Sequence, residues 1–400
     1  MCSYVVALRD KMKNKICFVV QRYGLEVNGG SELHCRQLAE HLLKKYSDIH
    51  VVTTKAVDYM TWKNEYEADE EMINGVFVHR FAVDKERKIN EFNTINAKFL
   101  NGNLQESMEQ EWVNKQGPYC PRAVSYIEEH KNDYDVFIFF TYLYYLSVMG
   151  ISKVCEKAIV IPTAHDEPFI RMKIYRNVFM LPRCFFFNTE EERKLVHFLF
   201  SNERIPNELG GVGVDIPLDI NGDRFKMKYS IDKYIVYVGR IDEGKKCDQL
   251  FQYFQEYKRR NHSDVKLVLI GKAVMKIPDS KDIISLGFVE EQDKFDGIAG
   301  ALMMILPSEF ESLSMVVLEA MSLYTPVIVN GKCPVLRGHC IKSNGALYYN
   351  NYFEFEGEIN YILTHEQEQK IMCQNAKTYI NDNYQWNTII DKLCSLIEAI

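Results

Sequence analysis

The feature that most constrains the fold is a regular alternation of short apolar runs with longer segments of helical spacing. The first run, KICFVV (15–20), is followed by a glycine-containing loop and by SELHCRQLAEHLLKKY, whose leucines recur with a helical period. Apolar runs of this length are typical of strands buried on both faces of a parallel sheet. The alternation predicts an α/β chain with a doubly wound sheet. The further runs are IHVVTT (49–54), VFVHRF (76–81), DVFIFF (135–140), AIVIPT (158–163) and RCFFFNT (183–189).

The same alternation restarts after a stretch rich in turn residues, IPNELGGVGVDIPLDINGD, where periodicity fails between about 205 and 230. We therefore expect two Rossmann-like domains, 1–212 and 213–380, and a C-terminal helix, 381–400, that packs back on the first domain. Such sheets bind ligands at the carboxyl ends of their strands, so we expect a cleft there. The second set of elements is YIVYVGR (234–240), a helix over 247–260, VKLVLIG (265–271), IISLGFV (283–289), ALMMILPS (301–308), PVIVNG (326–331) and a helical segment over 366–400 containing Trp386.

Composition excludes several classes of protein. Four hundred residues, 47% of them hydrophobic and 26% charged, give a globular composition, and a net charge of −7 argues against a nucleic-acid-binding surface. Eleven cysteines without a C-x-x-C pair suggest reduced thiols in a cytoplasm.

The N-terminus shows no apolar core with a cleavage site, so we expect no signal peptide. The apolar run 136–151 is shorter than the roughly 20 residues of a membrane helix and predicts a buried strand leading into a helix.

Two cations follow the first strand of the second domain. Gly239 and Arg240 end YIVYVGR, and Lys245 comes five residues later in the loop GRIDEGKK. An arginine fork and a lysine charge at the carboxyl edge of a sheet suit a diphosphate, whose charge grows as a leaving group departs. Solvated loop charges are the alternative interpretation.

A second element is PSEFESLSMVVLEAM, in which a buried strand ends, Glu311 lies in the loop and Ser314 with Met315 opens a helix. The amides of a helix N-terminus can bind an anion such as a pyrophosphate. Glu319 would lie about 7 to 8 Å further along the axis, at 1.5 Å per residue, where it could accept both hydroxyls of a ribose. Glu311 could accept hydroxyls of a sugar on the other side of the phosphates. The spacing of the two glutamates does not by itself indicate a binding site. It becomes informative only beside the strand, loop and helix pattern and the two cations.

Two places in the first domain are further candidates. Gly29 and Gly30 precede a helix that Ser31 could cap, and glycine allows a close approach of backbone to ligand. A tight turn explains them equally well, and the dinucleotide fingerprint G-x-G-x-x-G is absent. His165 ends another strand in IPTAHDEPF and could hydrogen-bond a sugar or exchange a proton. A structural histidine and a metal site with its acidic neighbours are the alternatives.

Together, GGSE, GRIDEGK and ESLSMVVLEAM closely resemble the motifs of family 4 glycosyltransferases, which are retaining enzymes with the GT-B fold. The resemblance covers nearly the whole chain, and RYGLEVNGGSE, QGPY, HDEP and SLSMVVLEAM are similar to a bacterial branch associated with polysaccharides. It implies transfer of a hexose from a nucleotide-diphosphate donor to a glycan, lipid-linked or other hydroxyl acceptor. It also implies retention of anomeric configuration, no required metal and no other cofactor, and a cytoplasmic location or one at the inner face of the membrane.

The resemblance also assigns roles to the candidate residues. Arg240 and Lys245 would neutralise the donor diphosphate, helped by the amides of Ser314 and Met315. Glu319 would hold the ribose, and Glu311 would bind hydroxyls of the donor sugar. Gly29 and Gly30 would approach the phosphates and the reacting region, Gly239 would contribute to donor binding, and His165 would contact the sugar or the acceptor.

The chain departs from the usual family pattern at two places. Lys246 stands where the family often has glycine, and the sequence ESLS (311–314) replaces E-G-F-G. We expect the serines to cap the helix and leave its amides available. Two other function classes stay open, a GT-B epimerase that alters a nucleotide sugar and a non-catalytic module that binds one. Peripheral membrane contact would fit a lipid-linked acceptor, although the sequence offers no clear basic amphipathic helix.

Overall fold

The chain divides into two structural units in the computed structural model, which describes residues 12–27 and 29–400. The first unit comprises the described residues up to 210 together with 390–400, and the second comprises 211–389. Cys2 lies outside the described residues. So does most of the N-terminal segment, where we expect no signal peptide.

The first unit is built on an eight-stranded sheet in the order β3-β4-β2-β1-β5-β6-β7-β8. Only the edge pair β3 and β4 is antiparallel. The order reverses between β1 and β5, which makes the sheet doubly wound. The strands are β1 (Met12–Val19), β2 (Tyr46–Thr54), β3 (Glu70–Ile73), β4 (Val76–Phe81), β5 (Val136–Phe140), β6 (Ala158–Ile161), β7 (Cys184–Phe187) and β8 (Asn207–Leu209).

Helices cover this sheet because its central strands are apolar on both faces; every residue of β5, β6 and β7 is buried. The run 136–151 forms β5 and then a helix, as predicted. The helices are α1 (Gly30–Leu42), α2 (Ile89–Leu100), α3 (Glu109–Gln116), α4 (Pro121–Glu129), α5 (Tyr145–Gly150), α6 (Arg176–Met180) and α7 (Glu190–Phe200), with short 3-10 turns at Glu106–Met108, Ile151–Lys153, Cys155–Lys157, Pro168–Arg171 and Lys173–Tyr175.

The second unit contains a six-stranded, entirely parallel sheet in the order β11-β10-β9-β12-β13-β14. Its strands are β9 (Tyr234–Val238), β10 (Lys266–Ile270), β11 (Ile283–Gly287), β12 (Met303–Leu306), β13 (Val327–Asn330) and β14 (Leu347–Tyr349). Its helices are α8 (Gly222–Tyr229), α9 (Cys247–Asn261), α10 (Glu291–Ala299), α11 (Met315–Ser322), α12 (Pro334–Ser343), α13 (Tyr352–Thr364), α14 (Glu366–Asn383) and the start of α15 (Trp386–Glu398). Both sheets have the predicted doubly wound topology.

Several details differ from the sequence prediction, which contained no strand at β3 or β14. The stretch expected to lack regular structure contains β8 and α8, and α8 begins because Asn221 accepts hydrogen bonds from the next turn, including one of 3.0 Å from the Asp223 amide. The predicted helical segment 366–400 is interrupted between α14 and α15, at Tyr384 and Gln385, where the carbonyl of Tyr384 accepts the amide of Val214 at 3.2 Å. Among the described residues, no helix is both long enough and apolar enough to span a bilayer.

A chain of ionisable groups crosses β2, β4 and β3. Asp48 Oδ1 lies 2.7 Å from His50 Nε2, His50 Nδ1 lies 2.9 Å from His79 Nε2, and His79 Nδ1 lies 3.1 Å from Glu70 Oε1. Burial is the largest of the effects that lower the pKa of both histidines, and the nearby Lys15 also lowers them. Both rings are therefore neutral in the folded protein at neutral pH.

We predict that this histidine pair destabilises the first unit in acid. Below about pH 6.5 the unfolded histidines bind protons that the folded pair resists, so the free energy of unfolding falls as pH drops. Replacing His50→Gln should make the fall between pH 7.5 and 5.5 shallower, measured as the shift of the urea midpoint. Equal slopes in wild type and in His50→Gln would contradict the account.

Candidate functional site

Three neighbouring strands of the second unit, β9, β12 and β13, end at one edge of their parallel sheet. The loops that follow them cover 239–246, 307–314 and 331–333. Seven of the ten candidate residues identified in the sequence lie in the first two loops or on the adjoining helix α11. These are Gly239, Arg240, Lys245, Glu311, Ser314, Met315 and Glu319.

Asp242 organises the loop after β9. Its Oδ1 accepts the backbone amide of Lys245 at 2.7 Å, and its Oδ2 accepts Arg240 Nε. The hydroxyl of Tyr237, on β9, donates to the carbonyl of Arg240 at 2.6 Å. Gly239 has a φ of 150°, in the region that favours glycine. These contacts fix the two cations on one short loop.

Lys245 is joined to the next loop by an ion pair. Its Nζ donates to Glu311 Oε1 at 2.6 Å, and both side chains are largely buried. The two residues are 66 positions apart in the chain. The structure thus brings together two residues that the sequence assigned to the phosphates and to the sugar of one ligand.

The N-terminus of α11 is not capped by a serine side chain, contrary to our expectation from the sequence ESLS. Ser314 is the residue before the helix, but its φ of 68° is left-handed and its side chain makes no capping bond. Its buried Oγ has no hydrogen-bond partner among the residues described. The loop is instead held by His339, whose Nε2 lies 2.8 Å from the carbonyl of Leu313. The first amides of α11, beginning at Met315, are therefore left without a side-chain cap, and the helix dipole adds partial positive charge there.

Glu319 lies one turn into α11 and is nearly buried. Burial raises the pKa of its carboxyl, while the nearby Lys294, whose Nζ donates to Oε1 at 2.9 Å, acts in the opposite direction. A carboxylate held in this way keeps lone pairs that can accept two hydroxyl groups.

The remaining three candidates belong to the first unit. Gly29 and Gly30 follow β1, and α1 begins at Gly30 without a side-chain cap, so the expectation that Ser31 caps the helix is wrong. Ser31 Oγ instead donates to Glu32 Oε2 at 2.7 Å. His165 follows β6, where its Nε2 lies 3.6 Å from Glu167 Oε2. His165 and the glycines share the carboxyl edge of the first sheet, with β5 between their strands.

A buried ion pair explains why residue 29 is glycine. Arg22 Nη2 lies 2.6 Å from Glu32 Oε1, and both side chains are almost completely buried. A Cβ on Gly29 would overlap the Glu32 carboxylate and lie 3.0 Å from Arg22 Nη2. A Cβ on Gly30 would meet nothing within 4 Å. Only the first of the two glycines is therefore required by close packing.

Several residues of the site were missed in the sequence. Asp242, Lys294 and Glu309 all contact predicted site residues or their neighbours. Asp242 could have been found, because aspartate side chains in turns commonly accept backbone amides of the residues that follow. Lys294 and Glu309 contact residues that are distant in the chain, so the local sequence does not reveal them.

In the described part of the chain, no group of three or more His, Cys, Asp or Glu side chains is placed so that it could hold a metal ion.

Comparisons with known proteins agree with this architecture. Residues 222–379 match the family described as Glycosyl transferases group 1. An uncharacterised glycosyltransferase of Methanocaldococcus jannaschii is 21% identical over 94% of this chain and 95% of its own length. The matched family region contains all seven candidate residues of the second unit.

Solved structures show the same fold over nearly the whole chain. Sucrose-phosphate synthase from Thermosynechococcus elongatus has a TM-score of 0.72 at 14% identity, covering 97% of this chain and 99% of its own. HepE from Anabaena, in complex with UDP and glucose, has a TM-score of 0.72 at 14% identity, covering 97% and 100%. Trehalose-6-phosphate synthase from E. coli, bound with UDP-2-fluoro glucose, has 0.68 at 12% identity, covering 96% and 99%. The protein therefore has the GT-B fold.

We predict that the two adjacent glycines respond differently to the same change. Gly29→Ala should lower the free energy of unfolding by about 1–3 kcal/mol, because its methyl group displaces a buried, ion-paired carboxylate. Gly30→Ala should leave it unchanged or raise it by up to about 1 kcal/mol, since alanine favours a helix. Urea denaturation monitored by fluorescence would measure both. Equal effects of the two substitutions would contradict the packing argument.

Proposed function

We propose that the protein is a retaining glycosyltransferase that moves a hexose from a nucleoside diphosphate to a hydroxyl acceptor without a metal ion. The acceptor would be a growing glycan or a lipid-linked sugar in the assembly of a surface polysaccharide or glycoconjugate. Such a reaction would take place in the cytoplasm or at the inner face of the membrane.

The observation that carries the proposal is the convergence of two cations, each paired with a carboxylate, and a helix N-terminus at one edge of the second sheet. Arg240 and Lys245 leave the same loop, and the uncapped amides of α11 begin in the adjoining one. A diphosphate offers several anionic oxygens over a few ångströms, which two side-chain cations and a helix N-terminus can share. As the bond to the sugar breaks, the leaving diphosphate gains charge, and these groups stabilise it.

The two glutamates suit the two ends of such a donor. Glu319 lies beyond the amides on α11 and can accept both hydroxyls of a ribose. Glu311 pairs with Lys245 in the structure, at 2.6 Å. A bound phosphate would compete for Lys245, and Glu311 would then be available to accept hydroxyls of the sugar. We take uridine as the first base to test, because HepE, which shares the fold, was solved in complex with UDP and glucose.

The chemical step we propose keeps the anomeric configuration by attack on the face from which the diphosphate leaves. The bond between the anomeric carbon and the phosphate oxygen breaks, and the acceptor oxygen forms a bond to that carbon. The acceptor proton passes to a phosphate oxygen of the leaving group. The contribution of the protein is to position the reactants and to stabilise the diphosphate through Arg240 and Lys245.

The first unit would serve the acceptor side of this reaction. Gly29 and Gly30 would bring backbone close to the reacting region, and His165 would contact the sugar or the acceptor. The imidazole of His165 can hydrogen-bond a hydroxyl in either protonation state.

We predict that one nucleoside diphosphate binds without metal and that Glu319 is needed for its affinity. Calorimetric titration with UDP, GDP, ADP and dTDP should show micromolar binding of one nucleotide. Glu319→Gln should weaken it by about 10- to 100-fold, because a carboxylate accepts hydroxyls more strongly than an amide does.

The matched control is Glu356→Gln on α13. The side chains of Glu319 and Glu356 are each 12% exposed, and each is paired with a cation. This control should bind the nucleotide as wild type does. If none of the four nucleotides binds, or if both variants lose affinity equally, the proposed donor site is wrong.

A further inference from the structure

Three charged residues form a second ion cluster beside the proposed donor site. Lys246 Nζ lies 3.2 Å from Glu309 Oε2, and Lys332 Nζ lies 3.3 Å from Glu309 Oε1. The three residues come from the loops after β9, β12 and β13. Lys246 stands where the family often has glycine, and the proposed diphosphate and ribose contacts use none of the three residues.

The second ion cluster continues the pair formed by Lys245 and Glu311. Lys246 is the next residue after Lys245, and Glu309 lies two residues before Glu311. The same two loops are thus joined by two ion pairs, of 2.6 Å and 3.2 Å. Glu311 is the proposed contact to the donor sugar, so the second ion cluster shares two loops with the residue that would touch that sugar.

The backbone at Lys246 is unusual for a lysine. Its φ of 59° is left-handed, a conformation that glycine adopts without strain and that a residue with a Cβ disfavours. Lys246 is also the residue before α9 and makes no side-chain capping bond. The local backbone geometry therefore favours glycine, whereas the lysine at this position supplies an amine that pairs with Glu309.

The cluster carries more positive than negative charge. Two lysines face one carboxylate, and Lys246 and Lys332 lie just before the first turns of α9 and α12, where helix dipoles add partial positive charge. The side chains of Lys246 and Lys332 are 36% and 55% exposed, so solutes can reach both amines. Glu309 neutralises only one of the two lysine charges. A second anionic group would neutralise the other.

We propose that the second ion cluster binds a carboxylate on the donor sugar, so that the donor is a nucleoside diphosphate hexuronate. This inference rests on the proposed function, which places the sugar at Glu311. The sugar carboxylate pairs with Lys332 and Lys246 and shares them with Glu309. A neutral hexose can offer these lysines only hydroxyl groups, which accept weaker hydrogen bonds than a carboxylate does.

The test compares donors that differ only in the charge of the sugar. The probes are UDP, UDP-glucose and UDP-glucuronate if the protein prefers uridine, or GDP, GDP-mannose and GDP-mannuronate if it prefers guanosine. Wild-type protein should bind the hexuronate at least tenfold more tightly than the neutral hexose in calorimetric titrations. Lys332→Met should remove this difference while changing the affinity for the free nucleotide less than twofold.

Two further variants serve as controls. Lys233→Met removes a lysine of the same unit whose side chain is also 55% exposed and ion-paired, with Asp264, so the hexuronate preference should persist. Lys246→Gly should reduce the preference while leaving the melting temperature unchanged or higher, because glycine suits the left-handed backbone.

The outcomes separate this inference from the proposed function. If the nucleotide binds but wild type does not prefer the hexuronate, the inference is wrong and the proposed donor site stands. If Lys332→Met weakens the free nucleotide as much as the hexuronate, the lysine serves the diphosphate and the inference is again wrong. If no nucleotide or nucleotide sugar binds, the proposed function fails, and the inference fails with it.

Discussion

The site depends on one constraint, which is that all strands of a parallel sheet end at the same edge. In the second unit β9 and β12 are neighbours in the sheet although they are far apart in the chain. Their loops therefore meet, and Lys245 can pair with Glu311 across 66 positions. The helices that follow these strands begin at the same edge, so their N-terminal amides add to the charge of the side chains.

The cations at this edge are held in place by carboxylates. Asp242 binds both Arg240 and the backbone of Lys245, and Glu311 accepts Lys245 Nζ. Such pairing reduces the repulsion between neighbouring cations and limits the number of conformations that each side chain can adopt. When an anionic ligand binds, the cations exchange their carboxylate partners for the ligand. The ligand does not have to immobilise flexible side chains, because these are already held in place. The proposed stabilisation of a leaving diphosphate requires preorganisation of this kind.

The sequence predicted the longer strands, and the loops in which the candidate residues lie, better than it predicted the partners of those residues. Buried strands such as β5 have an apolar pattern that is hard to mistake, whereas β3 is a polar edge strand and β8 and β14 have only three residues each. Ser31 and Ser314 have the right residue type for helix caps, but their hydroxyls do not cap, because α1 begins before Ser31 and the backbone at Ser314 is left-handed. The pairing of Lys294 with Glu319 depends on tertiary packing, which no local pattern encodes.

The most direct test of the account is the release of nucleoside diphosphate from sugar nucleotides by wild type and by Arg240→Ala. The assay would measure release from UDP-glucose, UDP-galactose, UDP-N-acetylglucosamine and UDP-glucuronate without added metal. If Arg240 stabilises the leaving diphosphate, the variant should release it about 100- to 1,000-fold more slowly than wild type from the donor that wild type uses. Turnover of the variant within a factor of three of wild type would contradict the account.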